Sequence, residues 1–308
     1  MASPSKPFNV PERAETYVRD VVQRSEDLIQ MGIWGGIEIP RLRAWLSNFA
    51  APAEKYFAAR VLDALIYRSD AQTKALMVHL LQRTLPDLTR SQPFPMGVVE
   101  DWKERLASLR DDPGMRIVPV IQRADPPTKS GPLVCRLMKR HLGLNEKWMI
   151  WPQDMAREHR RGIGTFLFVD DFLGTGYQFR KFFQSIPGAE VLSRSCLVYA
   201  PLVAHQRGMD RLHSKLPFLR VATVEPLDDS YCLFSDKSSH FDDGENTPEA
   251  ARLFYLGFLA RRGMDNLGRF ALGYSGLSLA LAFDHATPNA SLPILWLPHA
   301  SLTPLLSR

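Results

Sequence analysis

Two adjacent carboxylates, Asp170 and Asp171, followed closely by Gly174, Thr175 and Gly176, are the residues here whose types and spacing point most directly to chemistry. They lie in Phe-Leu-Phe-Val-Asp-Asp-Phe-Leu-Gly-Thr-Gly (166–176), a strand-like apolar run, then the acids, then a small-residue loop. Such a loop lets successive backbone N–H groups converge on a phosphate, and a helix starting behind it adds partial positive charge. Thr175 would add a hydroxyl donor, while Gly174 and Gly176 permit close approach and backbone angles closed to other residues. Carboxylates beside a phosphate cradle repel a bare phosphate. They make sense if the ligand also brings vicinal hydroxyls or a bound Mg2+, since carboxylates accept hydrogen bonds from diols and ligate hard cations. Ribose 5-phosphate has that arrangement, with its phosphate in the loop and its 2′- and 3′-hydroxyls on the acids. The plainer alternative is a turn in which Asp171 only caps the following helix; the strand–loop–helix context favours the ligand.

The surrounding pattern supplies elements to position these groups. From residue 115 the texture is Met-Arg-Ile-Val-Pro-Val-Ile (115–121), a strand-like run, then the turn-rich Asp-Pro-Pro-Thr-Lys-Ser-Gly (125–131) and a helix around 133–141. Strands over 165–169, 196–199 and 219–224 alternate with helices around 177–183 and 205–213, which predicts βαβ units and a parallel sheet. Ligands of such sheets bind beyond the carboxyl ends of the strands. Before this core, apolar residues recur at helical spacing: Val18, Val21, Val22, Leu28, Ile29; then Tyr56, Val61, Leu62, Leu65, Ile66; then Leu76, Met77, Leu80, Leu81. Prolines at 40, 52, 86, 93 and 95 divide the segment into separate helices. After the core, 228–246 is a loop with six acids and one base, and Thr247 with Pro248 and Glu249 opens a further helix as N-cap, N1 proline and first-turn acid. The reading is an α/β fold with a helical N-terminal region at 1–112, an α/β core at 113–227 and, at 228–308, an acidic loop, a helix and a closing segment.

Within this frame, Val-Asp-Asp-Phe-Leu-Gly-Thr-Gly (169–176) resembles the phosphoribosyl-diphosphate motif of type I phosphoribosyltransferases, hydrophobic residues followed by D-D-x-x-x-T-G. The helical N-terminal region, the Pro-Thr-Lys-Ser-Gly (127–131) ahead of the first core helix and the ending Thr-Pro-Asn-Ala-Ser-Leu-Pro-Ile-Leu-Trp (287–296) are similar to those of phosphoribosyltransferase-like proteins of bacterial conflict systems, including effectors of some retrons. The resemblance implies a type I phosphoribosyltransferase-like parallel sheet flanked by helices, with a C-terminal hood-like segment. It implies that Asp170 and Asp171 are the ribose-binding, catalytic acids and hold Mg2+ directly or through water. Gly174, Thr175 and Gly176 would form the 5-phosphate loop, and Lys129, Ser130 and Gly131 would meet the diphosphate, with Lys129 contributing to catalysis. The basic stretch 157–161 falls where such enzymes have a flexible lid; the plainer alternative is an exposed charged loop.

Function follows as an expectation: an effector binding phosphoribosyl diphosphate or a nucleotide with Mg2+ in antiphage defence. As an enzyme it would be a glycosyltransferase or would cleave a nucleotide's glycosidic bond. Many active members carry a hydroxyl residue where this chain has Gly174, and no element for selecting a nucleobase stands out. The alternative is therefore a catalytically inactive nucleotide-sensing or nucleic-acid-binding subunit of a defence complex. Partners implied are a defence protein or nucleic acid, such as a retron reverse transcriptase with its DNA–RNA product, and a second copy of the chain.

Composition bounds these readings. Of 308 residues, 45% are hydrophobic and 23% charged, which excludes disordered, collagen-like and coiled-coil classes. The net charge of +5 admits an anionic partner without naming one. Cys135, Cys196 and Cys232 are far apart with no C-x-x-C pair, as expected in a reducing compartment. No apolar leader stands in the polar stretch 1–15, and the longest uncharged run, 270–283, is too short to cross a bilayer, so a cytoplasmic protein without a membrane partner is expected.

Overall fold

The computed structural model describes residues 7–92, 94, 97–188, 192 and 195–307. Residues 1–6 of the polar N-terminal stretch and the prolines at 93 and 95 lie outside these. The chain divides into two units, Met1–Ala71 with Asp228–Arg308, and Gln72–Leu227.

The first unit gathers both ends of the chain. Helices α1 (Ala14–Gln30), α2 (Ile39–Leu46) and α3 (Pro52–Asp63) precede a short strand β1 (Ile66–Arg68). The helical spacing through Leu65 and Ile66 predicts a longer α3; instead the helix stops at Asp63, and Ile66 begins a parallel ladder. The competing interaction is non-local, because Ile66 pairs with Leu281 of β7 (Leu281–Phe283), more than two hundred residues away. Helices α11 (Pro248–Arg261) and α12 (Pro293–Trp296) complete this unit. Thr247 caps α11 as its sequence predicts, its hydroxyl accepting the Ala250 N–H at 3.2 Å. The core is aromatic: Phe57 stacks on Phe241 at 5.1 Å and on Tyr255 at 5.7 Å. Trp45 is fully buried and donates its indole N–H to the Ile294 carbonyl at 2.8 Å, satisfying its polar atom as buried tryptophan requires.

The second unit carries the α/β core. Helices α4 (Asp70–His79), α5 (Leu85–Ser91) and α6 (Trp102–Ala107) lead into β2 (Met115–Pro119), α7 (Ser130–Leu142), α8 (Met155–Arg160), β3 (Thr165–Leu173), α9 (Tyr177–Gln184), β4 (Cys196–His205), α10 (Gln206–Lys215), β5 (Leu219–Val221) and β6 (Glu225–Leu227). All pairings in this sheet are parallel, in the order β2-β3-β4-β5, with β6 also on β4. This is the α/β arrangement the alternation of runs predicts, a parallel sheet flanked by helices.

Two strands are longer than their sequence suggests. β3 and β4 stay paired to Leu173 and Ala204, so the two acids lie inside the ladder and not past its end. The cause is β4, buried along all ten residues and apolar almost throughout, which sustains pairing where β3 turns polar. Pro201 tolerates this central position because β5 pairs with β4 only up to Tyr199 and β6 only from Val203. The missing proline N–H thus falls in the gap between the two outer strands. Beneath one face, Phe168, Phe179, Phe182 and Tyr199 belong to one buried cluster.

Candidate functional site

Asp170 and Asp171 reach the sheet's carboxyl end on β3, only 2% and 6% exposed. The first turn of α7 meets them there. Its Ser-Gly-Pro start seats Gly131 directly on the backbone beyond β2, where a Cβ would stand 2.6 Å from the Val120 nitrogen and 2.8 Å from its carbonyl oxygen. No other residue fits, so glycine at 131 fixes where α7 begins. That seating brings Ser130 Oγ to 2.7 Å from Asp170 Oδ1, to which it donates. The Asp171 N–H donates to the same oxygen at 3.1 Å, and the Tyr199 hydroxyl donates to Oδ2 at 3.5 Å. Tyr199 is held by Phe179, whose ring stacks on it at 4.0 Å.

Burial and the adjacent Asp171 charge push the Asp170 carboxyl well above the usual carboxylate range, outweighing the hydrogen bonds that favour its charged form. Burial likewise raises the Tyr199 hydroxyl, with Asp170 adding to the effect. Cys135 is pushed up to about 12 by burial and by Asp170, which keeps it a protonated thiol and a poor nucleophile. Two like-charged carboxylates in a low-dielectric site are an arrangement that a cation relieves, and their hard oxygens are the donors Mg2+ takes. The donor set therefore fits the metal that the sequence resemblance implies.

The loop 174–176 closes β3 onto α9. Gly176 has φ of 77°, the left-handed angle that favours glycine, and forms the N-cap of α9. Thr175 is buried beside it. The loop is pressed against α10: a Cβ on Gly208 would lie 2.3 Å from the Gly174 carbonyl oxygen, and one on Gly176 would lie 3.1 Å from the Gly208 carbonyl oxygen. Lys129 precedes α7 as its N-cap residue, its backbone N–H donating to the Pro126 carbonyl at 3.2 Å. Its ammonium has no ion-pair partner among the described residues.

The structure thus brings Ser130, Gly131, Asp170 and the acid-bearing end of β3 into one neighbourhood, with Gly174, Thr175 and Gly176 continuing from it. Tyr199 and Gly208 are parts of this neighbourhood that the sequence reading misses. Tyr199 sits in an apolar run where nothing separates a hydrogen-bonding tyrosine from a core aromatic. Gly208 carried a usable signal, a glycine early in a helix, where it costs helix stability unless close packing requires it.

The lid expectation resolves differently. The basic stretch 157–161, expected as a flexible lid, lies largely in α8. There Glu158 is buried and takes ion pairs from Arg116 and Arg161, each at 3.0 Å. The guanidinium of Arg116 also lies 5.1 Å from the Trp148 ring centroid. Trp34, Trp45 and Trp148 are core residues, while Trp151 is exposed. In the first unit, the Tyr67 hydroxyl donates to Asp284 Oδ1 at 2.7 Å and accepts the Gly36 N–H at 2.9 Å, so Asp284 secures a turn there. All three cysteines are buried. Among the described residues no helix is long and apolar enough to cross a membrane.

The model of a protein family described as PRTase-CE matches residues 42–308, most of the chain and the whole of the site just described. No curated protein matches the chain.

Proposed function

The chain belongs to the PRTase-CE family and is phosphoribosyltransferase-like; from that premise we propose that its site binds a ribose-5-phosphate ligand, phosphoribosyl diphosphate or a nucleotide, with Mg2+. The observation that carries this is the continuity of Asp170 and Asp171 with the glycine loop at the start of α9, all on one strand end. In this reading the backbone N–H groups of 174–176 and the Thr175 hydroxyl hold the 5-phosphate, and the acid pair takes the ribose hydroxyls. Asp170 and Asp171 would also hold Mg2+, directly or through water, and the ion would supply neutralisation of diphosphate charge. Lys129, which has no carboxylate partner among the described residues, would add a cation toward the same anion.

The protein's contribution to turnover would be positioning and electrostatics, not a covalent intermediate. The C1–O bond to diphosphate breaks with its electron pair leaving on diphosphate, and an acceptor nucleophile forms the new bond at C1. Ser130 and Tyr199 keep Asp170 in one orientation while this occurs. Resemblance to conflict-system proteins supports a role in antiphage defence. Gly174 favours a second reading, a sensor that binds the same ligand without turnover, because the loop lacks the hydroxyl donor to phosphate that many active members carry there and no element for selecting a nucleobase stands out.

The test compares the wild type with the Asp170→Asn/Asp171→Asn double variant, by diphosphate release in vitro and by metabolite profiling of expressing cells. The enzyme reading expects diphosphate release and a changed nucleotide pool, both lost in a folded double variant. Unchanged activity in that variant would overturn it. Tight binding of phosphoribosyl diphosphate with no diphosphate released to any acceptor would establish the sensor.

A further inference from the structure

Beyond Gly176, the first residue of α9 is Tyr177, an aromatic left 44% exposed at the mouth of the phosphate loop. One face of its ring is covered by the Arg211 guanidinium, whose central carbon lies 3.7 Å from the ring centroid. Arg211 is on α10 between Gly208, which abuts the Gly174 carbonyl, and Leu212, whose Cγ would stand 3.3 Å from a Cβ on Gly176. The stack is thereby fixed to the same packing that shapes the loop. Arg211 has no acidic partner among the described residues, and its buried Nη1 donates to no acceptor there. A positive charge that pairs with an exposed ring and with no carboxylate suits an anionic ligand carrying its own π-system. A guanidinium stacked on an aromatic face is held there by cation–π attraction, and the exposure of Tyr177 leaves ring surface for a further stacking partner.

We propose that Tyr177 and Arg211 form a stacking platform for a second planar ring joined through the loop-bound phosphate. The ligand class is then a nucleotide whose 5′-phosphate is esterified to another nucleoside, and not a lone phosphate monoester. This rests on the ribose-phosphate reading of the loop and extends it. The platform lies on the phosphate side of the ribose, so it reads what is attached to the phosphate and leaves selection at C1 to other residues. Base–aromatic stacking is strong enough that one such contact gives about a tenfold or greater preference.

The test is titration calorimetry of the full chain with AMP, with adenylyl-(3′→5′)-adenosine and with a short oligoadenylate, all with Mg2+. The expected result is about tenfold or tighter binding of the dinucleoside phosphate than of AMP. That ratio should fall toward unity in Tyr177→Ala and in Arg211→Gln and persist in Tyr177→Phe, whose ring is intact. Oligoadenylate binding tighter still identifies a nucleic-acid end as the source of the second nucleoside; binding equal to the dinucleoside phosphate identifies a dinucleotide. A wild-type ratio near unity, or a ratio unchanged in Tyr177→Ala, overturns the platform while AMP binding leaves the loop reading intact. Absence of binding by every probe overturns the platform; phosphoribosyl diphosphate, titrated alongside, then leaves the loop reading intact if it binds and overturns it if it does not. Should Tyr177→Ala fail to fold, the Arg211→Gln and Tyr177→Phe pair decides.

Discussion

Asp170 concentrates the chemistry of the site in one side chain. Its two oxygens accept from Ser130, the Asp171 backbone and Tyr199, yet burial and the Asp171 charge still raise its pKa. The consequence for stability has a definite sign. A carboxyl with a raised folded-state pKa keeps its proton where the unfolded chain has already lost it. The stability it contributes is full below the ordinary carboxylate pKa of about 3.9 and is lost as pH rises above it. Asp170→Asn, which cannot ionise, is therefore expected to melt a few degrees above the ligand-free wild type at neutral pH, with the difference closing toward pH ~4. Thermal melts across that range check this. A variant melting lower by the same amount at both ends would mean that the lost acceptor geometry outweighs the buried charge. The acid pair itself was legible in the sequence because two adjacent carboxylates before a glycine loop are chemically conspicuous. Its bracket was not, since Ser130 is forty residues from Asp170 and only the seating of Gly131 against Val120 brings them together.

At the scale of elements, the contact between the 174–176 loop and α10 shapes the proposed phosphate cradle. Gly208 is the pivot, because any side chain there would collide with the Gly174 carbonyl, a backbone atom that cannot rotate away. Gly208→Ala is expected to cost about 1–3 kcal/mol of stability through overpacking and to weaken AMP binding about tenfold or more. Calorimetry with melting as the folding control checks it; unchanged affinity in the folded variant would separate the cradle from α10. The βαβ alternation was readable because β-branched and aromatic runs separated by short helices have few other solutions. Strand length was not: the extension of β3 through Leu173 depends on β4 remaining apolar to its end, a property of the neighbour. The helical spacing through Ile66 misled for the same reason, since its partner Leu281 is remote in sequence. The lid expectation at 157–161 overlooked that Glu158 would be buried among Arg116, Arg157 and Arg161.

On the scale of the whole molecule, membership of the PRTase-CE family and a parallel α/β sheet with an acid pair and glycine loop at its carboxyl end agree with one another. The net charge of +5 gave no hint of this. Charge summed over a chain describes steering, whereas the proposed site combines a buried acid pair with a backbone loop proposed to cradle phosphate. The most direct measurement is titration calorimetry of the purified chain with phosphoribosyl diphosphate, with and without Mg2+, beside the Asp170→Asn/Asp171→Asn double variant. Saturable, Mg2+-dependent binding by the wild type, lost in the folded double variant, is the expected result. No binding by the wild type, or equal binding by both proteins, would contradict it.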